Sequence, residues 1–311
     1  MRRKKDISSA GTPAADVIID TDLVQGLLTD QHPDLALLPL HSPYEGWDNV
    51  VFRLGETLAV RLPRRAAAAA LVEKEQTWLP RLQSVLTLPI PAPLRTGHAT
   101  CYYPWSWSII PWLPGEPADI YPPDAAAVHG FIAFLQALHQ PAPPEAPVSP
   151  VRGVPLQQRA AVVEERLLRL KNKTALITGD IYYAWSAAVN TMIDTPRCWI
   201  HGDLHAANVL TVKGRIAGVI DWGDMASGDI ATDLASIWIL FPQQEARRLA
   251  MAAYTGITSR TWRRARGWAI LFAAMLLDSG LINHARHAAM GENIFRHIAA
   301  DLHDDSLQGN L

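Results

Sequence analysis

An α+β chain of two lobes is what this sequence predicts: a small β-rich N-terminal lobe over residues 1–111 and a larger helical C-terminal lobe over 112–311. Three observations predict it. Two short β-branched or apolar runs, 50–54 and 57–62, flank Gly55-Glu56, a pair suited to a hairpin turn. Apolar residues recur at helical spacing over 125–139, and the tail from Thr232 onward reads as helical too. Between these regions, Trp112-Leu113-Pro114-Gly115 makes a turn-rich joint.

The elements follow in order. After Pro63, residues 64–82 are rich in Ala, Glu, Leu and Arg and are predicted helical. Prolines at 89, 91 and 93 end that region, and 105–111 reads as a strand running into the joint. Residues 141–155 hold six prolines, which exclude helix. Helices are predicted over 156–170 and 181–193, then short strands at 198–200, 209–212 and 216–220 around a polar loop. No internal repeat is visible.

Composition narrows the class. The 311 residues are 49% hydrophobic with a formal net charge of −2, enough for a packed core and without the basic excess that nucleic acid selects. Met1-Arg2-Arg3-Lys4-Lys5 is basic, but polar residues follow it, so a frayed terminus is expected and not a signal peptide. The longest apolar run, 268–277, is about half a membrane span and is expected to be a buried helix. Two distant cysteines, Cys101 and Cys198, offer neither a disulfide framework nor metal-ligand spacing. A soluble cytoplasmic protein with no membrane partner is the expectation.

The chemistry concentrates in His201-Gly202-Asp203-Leu204-His205-Ala206-Ala207-Asn208, followed by Ile220-Asp221-Trp222-Gly223. Phosphoryl transfer needs a carboxylate to orient the acceptor hydroxyl and hard oxygen ligands to hold magnesium against the phosphates. Asp203 and Asn208 have the five-residue separation of a kinase catalytic loop, and Asp221 opens a D-x-G turn after an apolar strand. Other readings of these residues exist. His201, Asp203 and His205 are legitimate zinc ligands, but a metal hydrolase leaves Asn208 and the D-W-G turn unexplained. Asp221 alone fits an ordinary Asp-Gly-type turn.

The runs HGDLHAANVL and GVIDWGD resemble the signature of the aminoglycoside phosphotransferase family, antibiotic and metabolite kinases related to the protein kinases. The resemblance implies a bilobal protein-kinase-like fold with the nucleotide between the lobes. It implies Asp203 as catalytic base or orienter, and Asn208 and Asp221 as magnesium ligands. Residues 228–235 are similar to the family's helix entry, where Asp233 would brace the loop by hydrogen bonds, and His201 is expected to hold that loop too. The segment 45–50, containing Asn49, sits where the family covers the nucleotide phosphates. Arg61 stands where a phosphate-pairing lysine is expected, with Glu75 as its steadying carboxylate and Glu73 as the second choice; the bland alternative for Arg61 is an exposed strand-end cation. A kinase-like hinge would meet the purine of ATP or GTP with the carbonyl of Pro111 and the N–H of Leu113. Trp105, Trp107 and Trp112 near the joint are expected as packing residues, with stacking on a base or substrate as the alternative.

The acceptor is the least legible part. An antibiotic is favoured, first a cationic aminoglycoside-like compound, with macrolides and cyclic peptides open. A cation needs carboxylates: Asp278, which interrupts the apolar stretch 271–282, ranks first, then Asp224, with Glu292 also considered. A metabolite kinase for an amino alcohol or sugar, or a nucleotide-binding pseudokinase, are the alternatives. Arg263, Arg264 and Arg266 are expected on a solvated helix face.

Overall fold

The computed structural model describes residues 14–307; residues 1–5, the expected frayed terminus, lie outside the described residues. Helix α1 (Thr21–Gln31) opens the chain, with the Asp20 carboxylate accepting from the Leu23 N–H as its N-cap. Strands β1 (Tyr44–Glu45), β2 (Asn49–Leu54) and β3 (Leu58–Pro63) follow, then helix α2 (Ala66–Gln83), β4 (Arg95–Gly97) and β5 (Trp107–Pro111). They form one antiparallel sheet in the order β1-β2-β3-β5-β4. Period-two alternation turns Val50, Phe52 and Leu54 of β2 inward, where Val24, Leu27 and Leu28 of α1 cover them.

The rest is mainly helical. A short strand β6 (Glu116–Pro117) precedes α3 (Val128–Leu138), α4 (Ala160–Lys171) and α5 (Gly179–Val189). Strands β7 (Cys198–Ile200), β8 (Val209–Val212), β9 (Arg215–Val219) and β10 (Ala226–Gly228) come next. Then α6 (Ala231–Leu234), α7 (Ser236–Leu240), α8 (Gln244–Ala253), α9 (Ser259–Asn283) and α10 (Ala285–Leu307) complete the chain. Antiparallel pairing of β7 with β10, and of β8 with β6 and β9, frames the polar loop 201–208. The large core is centred on α9 and reaches α2 through Trp78, Leu79 and Leu82, tying that helix to the helical lobe.

The bilobal α+β architecture read from the sequence is the one found. Helix α9 contains the 268–277 run; it is long and apolar enough to cross a membrane by length and composition, but here Trp268, Ile270, Leu271 and Phe272 pack into the core. The solvated-face expectation fails at Arg264. That side chain is 1% exposed, donating to both oxygens of Asp229 (2.7 and 3.2 Å) and to Asp194 at 2.8 Å. A guanidinium has enough donors to be satisfied inside when two carboxylates meet it. The predicted helix 181–193 begins at Gly179 and stops at Val189, with Asn190 as its C-cap.

Candidate active site

The β1–β2 hairpin, the end of β5 and the turn after β9 enclose a cleft of about 390 Å³. Asn49, Arg61, Pro111, Leu113, Asn208 and Asp221 all line it. Ala59, Ile110, Leu210 and Ile220 supply apolar walls, the surface a planar base requires. At its edge Trp112 gives its N–H to the Thr57 carbonyl at 2.8 Å, while among the described residues the Leu113 N–H meets no backbone acceptor. Trp112 packs on Tyr44 with ring centroids 5.6 Å apart, at the cleft. Trp107 is fully buried in the sheet core and Trp105 packs edge-on to Tyr103, so Trp112 alone of the three lines the cleft.

The loop 201–208 is held from beneath. The fully buried Asp233 accepts from the backbone N–H groups of His201 (2.6 Å) and Gly202 (2.8 Å). Gly202 has φ +86, and a Cβ there would meet the Asp224 carbonyl oxygen at 2.6 Å, so the tight turn demands glycine. His201 is also fully buried: Nδ1 accepts from the Asp203 N–H at 3.3 Å and Nε2 donates to the Ile220 carbonyl at 3.0 Å. Both ring nitrogens are occupied, which removes His201 from the zinc reading, and the described residues contain no group of three or more His, Cys, Asp or Glu side chains able to hold a metal ion.

Two oxygens are left for a cation. The side-chain amide of Asn208 donates through Nδ2 to the Asp203 carbonyl at 2.9 Å, so Oδ1 is its free donor atom. Asp221 adopts φ +59, a left-handed conformation that costs a non-glycine residue about 1–2 kcal/mol and turns its half-exposed carboxylate toward the cleft. Arg61 closes that side. Its Nη2 donates to Asp221 Oδ1 at 3.2 Å and lies 3.0 Å from Glu75 Oε1, off the line of its N–H. The surface-cation reading of Arg61 therefore fails, because the side chain is buried between two carboxylates. Of the two acids weighed in α2, Glu75 meets Arg61, whereas Glu73 accepts from Ser106 at 3.3 Å. Burial, only partly offset by Arg61, pushes the Glu75 carboxyl up to about 7.

Asp203 stands beyond the cleft lining, between two cations. Arg152 donates to its Oδ1 at 2.7 Å, and His205 Nε2 lies 3.4 Å from its Oδ2. Burial would raise the Asp203 pKa; His205 and Arg152 overcome it and hold the carboxyl well below the usual carboxylate range. His205 is raised in return, burial being outweighed by Asp203. Arg152 is a residue the sequence reading missed. It comes from the proline-rich loop, which is pinned at Gly153: its N–H donates to Thr232 Oγ1 (3.2 Å) and its carbonyl accepts from the Asp229 backbone N–H (2.9 Å). Gly153 has φ +63, and a Cβ there would meet Gly228 Cα at 2.7 Å.

The carboxylates considered for a cationic acceptor all have arginine partners. Asp224 accepts from Arg152 Nε at 3.0 Å. Asp278, on α9, accepts from Arg166 (3.0 Å) and Arg169 (2.6 Å), and Glu292 pairs with Arg296 at 2.8 Å. Neither Asp224 nor Asp278 lines the cleft.

Comparison with known proteins places this geometry. YcbJ, an uncharacterized protein of Bacillus subtilis (strain 168), is 25% identical over 240 residues, covering 69% of this chain and 74% of its own. The GDP complex of aminoglycoside 2′-phosphotransferase-IIIa superposes with a TM-score of 0.65 at 18% identity, covering 91% of this chain and 100% of that one. Macrolide 2′-phosphotransferase MphH from Brachybacterium faecium gives 0.58 at 19% identity, over 88% and 97%. Residues 42–268 match the sequence model of the phosphotransferase enzyme family, APH. The chain belongs to that family and is a kinase of small molecules.

Proposed function

We propose that this kinase moves the γ-phosphoryl of ATP or GTP onto a hydroxyl of a small-molecule antibiotic, with magnesium held by Asn208 and Asp221. The observation that carries the reading is the convergence of Asn208, Asp221 and Arg61 on one cleft, with Asp203 beyond its lining and joined to it through the Asn208 amide. The donor set fits the metal. Asn208 Oδ1 and the Asp221 carboxylate are hard oxygens, and magnesium takes few ligands from protein where phosphates supply others. When bound, the ion would neutralise phosphate charge.

The chain's own groups do the rest. Arg61 offers its guanidinium to phosphate oxygens, a role charge and fork geometry support. The apolar walls and the carbonyl of Pro111 and N–H of Leu113 receive the base. Asp203 orients the acceptor hydroxyl and accepts its proton. A carboxylate held so far on the ionised side is a weak base, which suits a loose transition state in which positioning outweighs proton abstraction. A nucleotide donor and two free cysteines support a cytoplasmic setting.

An antibiotic acceptor is supported by the aminoglycoside and macrolide phosphotransferases whose fold this chain shares. Ion pairing of Asp224, Asp278 and Glu292 weighs against a polyamine among them. The test is nucleotide consumption with ATP and with GTP across aminoglycosides, macrolides, cyclic peptide antibiotics, amino alcohols and sugars. Asp203→Asn is expected to bind nucleotide as before while losing about 10²–10⁴-fold in kcat. A variant that keeps most of its kcat overturns the assignment of Asp203.

A further inference from the structure

Three guanidinium groups cluster outside the nucleotide cleft, on the Arg152 side of Asp203. Arg152 holds Asp203 and Asp224. Arg166, on α4, holds Asp278 together with Arg169. Arg159, the N-cap of α4, is close enough to both that burial and then the charges of Arg152 and Arg166 push its pKa down. It precedes Arg166 by two helical turns and shares its face. Of these three, Arg159 alone has no acid partner among the described residues, and its Nε is buried without a hydrogen-bond acceptor.

The other flank of Asp203 carries the His205 ring, its Nε2 3.4 Å from Asp203 Oδ2. Asp119, the acid on that side, is taken by both Arg286 Nε and Nη2. Lys74 of α2 is lowered by burial, and the two acids that oppose that shift, Asp224 and Glu75, already meet Arg152 and Arg61. Asp278 is engaged twice over, and Glu165 meets Arg169. Asp119, Asp224, Asp278 and Glu165 are therefore each spent on an arginine, while among the described residues Arg159 has no acid partner.

A partly desolvated cation between two like charges is unfavourable until an anion reaches it. Guanidinium matches the planar oxygens of a carboxylate in a two-bond fork. An ammonium group would add to the repulsion. We infer that the acceptor is a hydroxy acid, whose carboxylate pairs with Arg159 while its hydroxyl reaches Asp203. This rests on the kinase reading. In the transfer the bond from the γ-phosphorus to the bridging oxygen breaks and one to the acceptor oxygen forms; the hydroxyl proton passes to Asp203 and on to solvent. Nucleoside diphosphate leaves, and the carboxylate is unchanged.

The test follows nucleoside diphosphate release by the full chain, with ATP or GTP and magnesium, over hydroxyl compounds offered as free acid, methyl ester and amine. Acids are expected to exceed their esters in kcat/KM by about tenfold or more, with amines lower still. Arg159→Gln should raise the KM of acids by about tenfold while moving that of esters far less, and Arg159→Lys should recover part of the loss. Preference for esters or amines overturns the inference, and so does an Arg159→Gln protein with wild-type KM for acids. If no compound is turned over, calorimetry with the same pairs decides, and equal affinity for acid and ester overturns it. The kinase reading fails separately, through an Asp203→Asn protein that turns over every acceptor at the wild-type rate.

Discussion

Arg61 and Asp221 meet across the cleft, Nη2 to Oδ1 at 3.2 Å, although 160 positions separate them in the chain. The same nitrogen reaches Glu75, so one guanidinium joins β3, α2 and the D-W-G turn. Removing it leaves two carboxylates facing each other at partial burial. Arg61→Ala is expected to raise the nucleotide KM by about tenfold or more and to disturb the acceptor KM much less. Arg61→Lys should recover part, because charge returns without the fork. Steady-state kinetics with each substrate varied checks both; equal effects on both KM values would refute a phosphate-side role.

Glu75 makes stability pH-dependent in a definite direction. Its carboxyl is raised to about 7 by burial, so the fold binds this proton more tightly than the unfolded chain does. That contribution is whole below the ordinary value of 4.5 and falls away as pH rises to about 7. Glu75→Gln keeps the neutral form and should flatten this part of the curve. Urea unfolding at several pH values between 5 and 8, in wild type and variant, measures it.

Asp233 holds two backbone N–H groups of the loop at no solvent exposure. Asp233→Ala strands both donors and is expected to cost about 3 kcal/mol of stability. Asp233→Asn should cost less but misdirect one oxygen, lowering kcat with nucleotide affinity retained. Denaturant midpoints and nucleotide calorimetry separate the two effects.

Arg152 sets the acid side of the reaction. It and His205 hold Asp203 well below the usual carboxylate range, against burial. A depressed pKa gives stability above the ordinary value that is lost only as pH falls through the lower one. Arg152→Gln leaves His205 to act alone, so the acid limb of kcat/KM should move upward and acid unfolding should begin at higher pH. A pH–rate profile with an acid limb unchanged from wild type would remove Arg152 from this role.

Much of the site is legible because it is local. Asp203, Asn208 and Asp221 lie within one loop and the turn after the next hairpin, so spacing alone brings them together. The sheet strands β2 and β3 read equally well from β-branched runs about Gly55. Arg152 does not, since nothing ties a lone arginine in a proline-rich loop to a carboxylate 51 positions later. Arg264 misleads for a related reason: in a basic run it reads as surface, and its carboxylate partners lie 35 and 70 positions away. Strand β10 is Ala-Ser-Gly, with no strand propensity of its own; pairing with β7 makes it a strand. Helix α1 is marked by Asp20 as cap and by Val24, Leu27 and Leu28 on one face, a short signal without the run of strong helix formers that makes α2 legible.

The contact between Gly153 and Gly228 bears on how such an enzyme acquires new acceptors. With no room for a Cβ on either backbone, the loop that carries Arg152 is seated directly on the strand behind residues 201–208. Any drift at that seam shifts the base along with the wall, so a lineage exploring new acceptors there forfeits turnover before it gains selectivity. Arg159 lies outside the seam, at the head of α4. Directed evolution should therefore retarget this enzyme through α4 and leave 152–153 unchanged, and deep mutational scanning would display that partition as a tolerant helix beside an intolerant dipeptide.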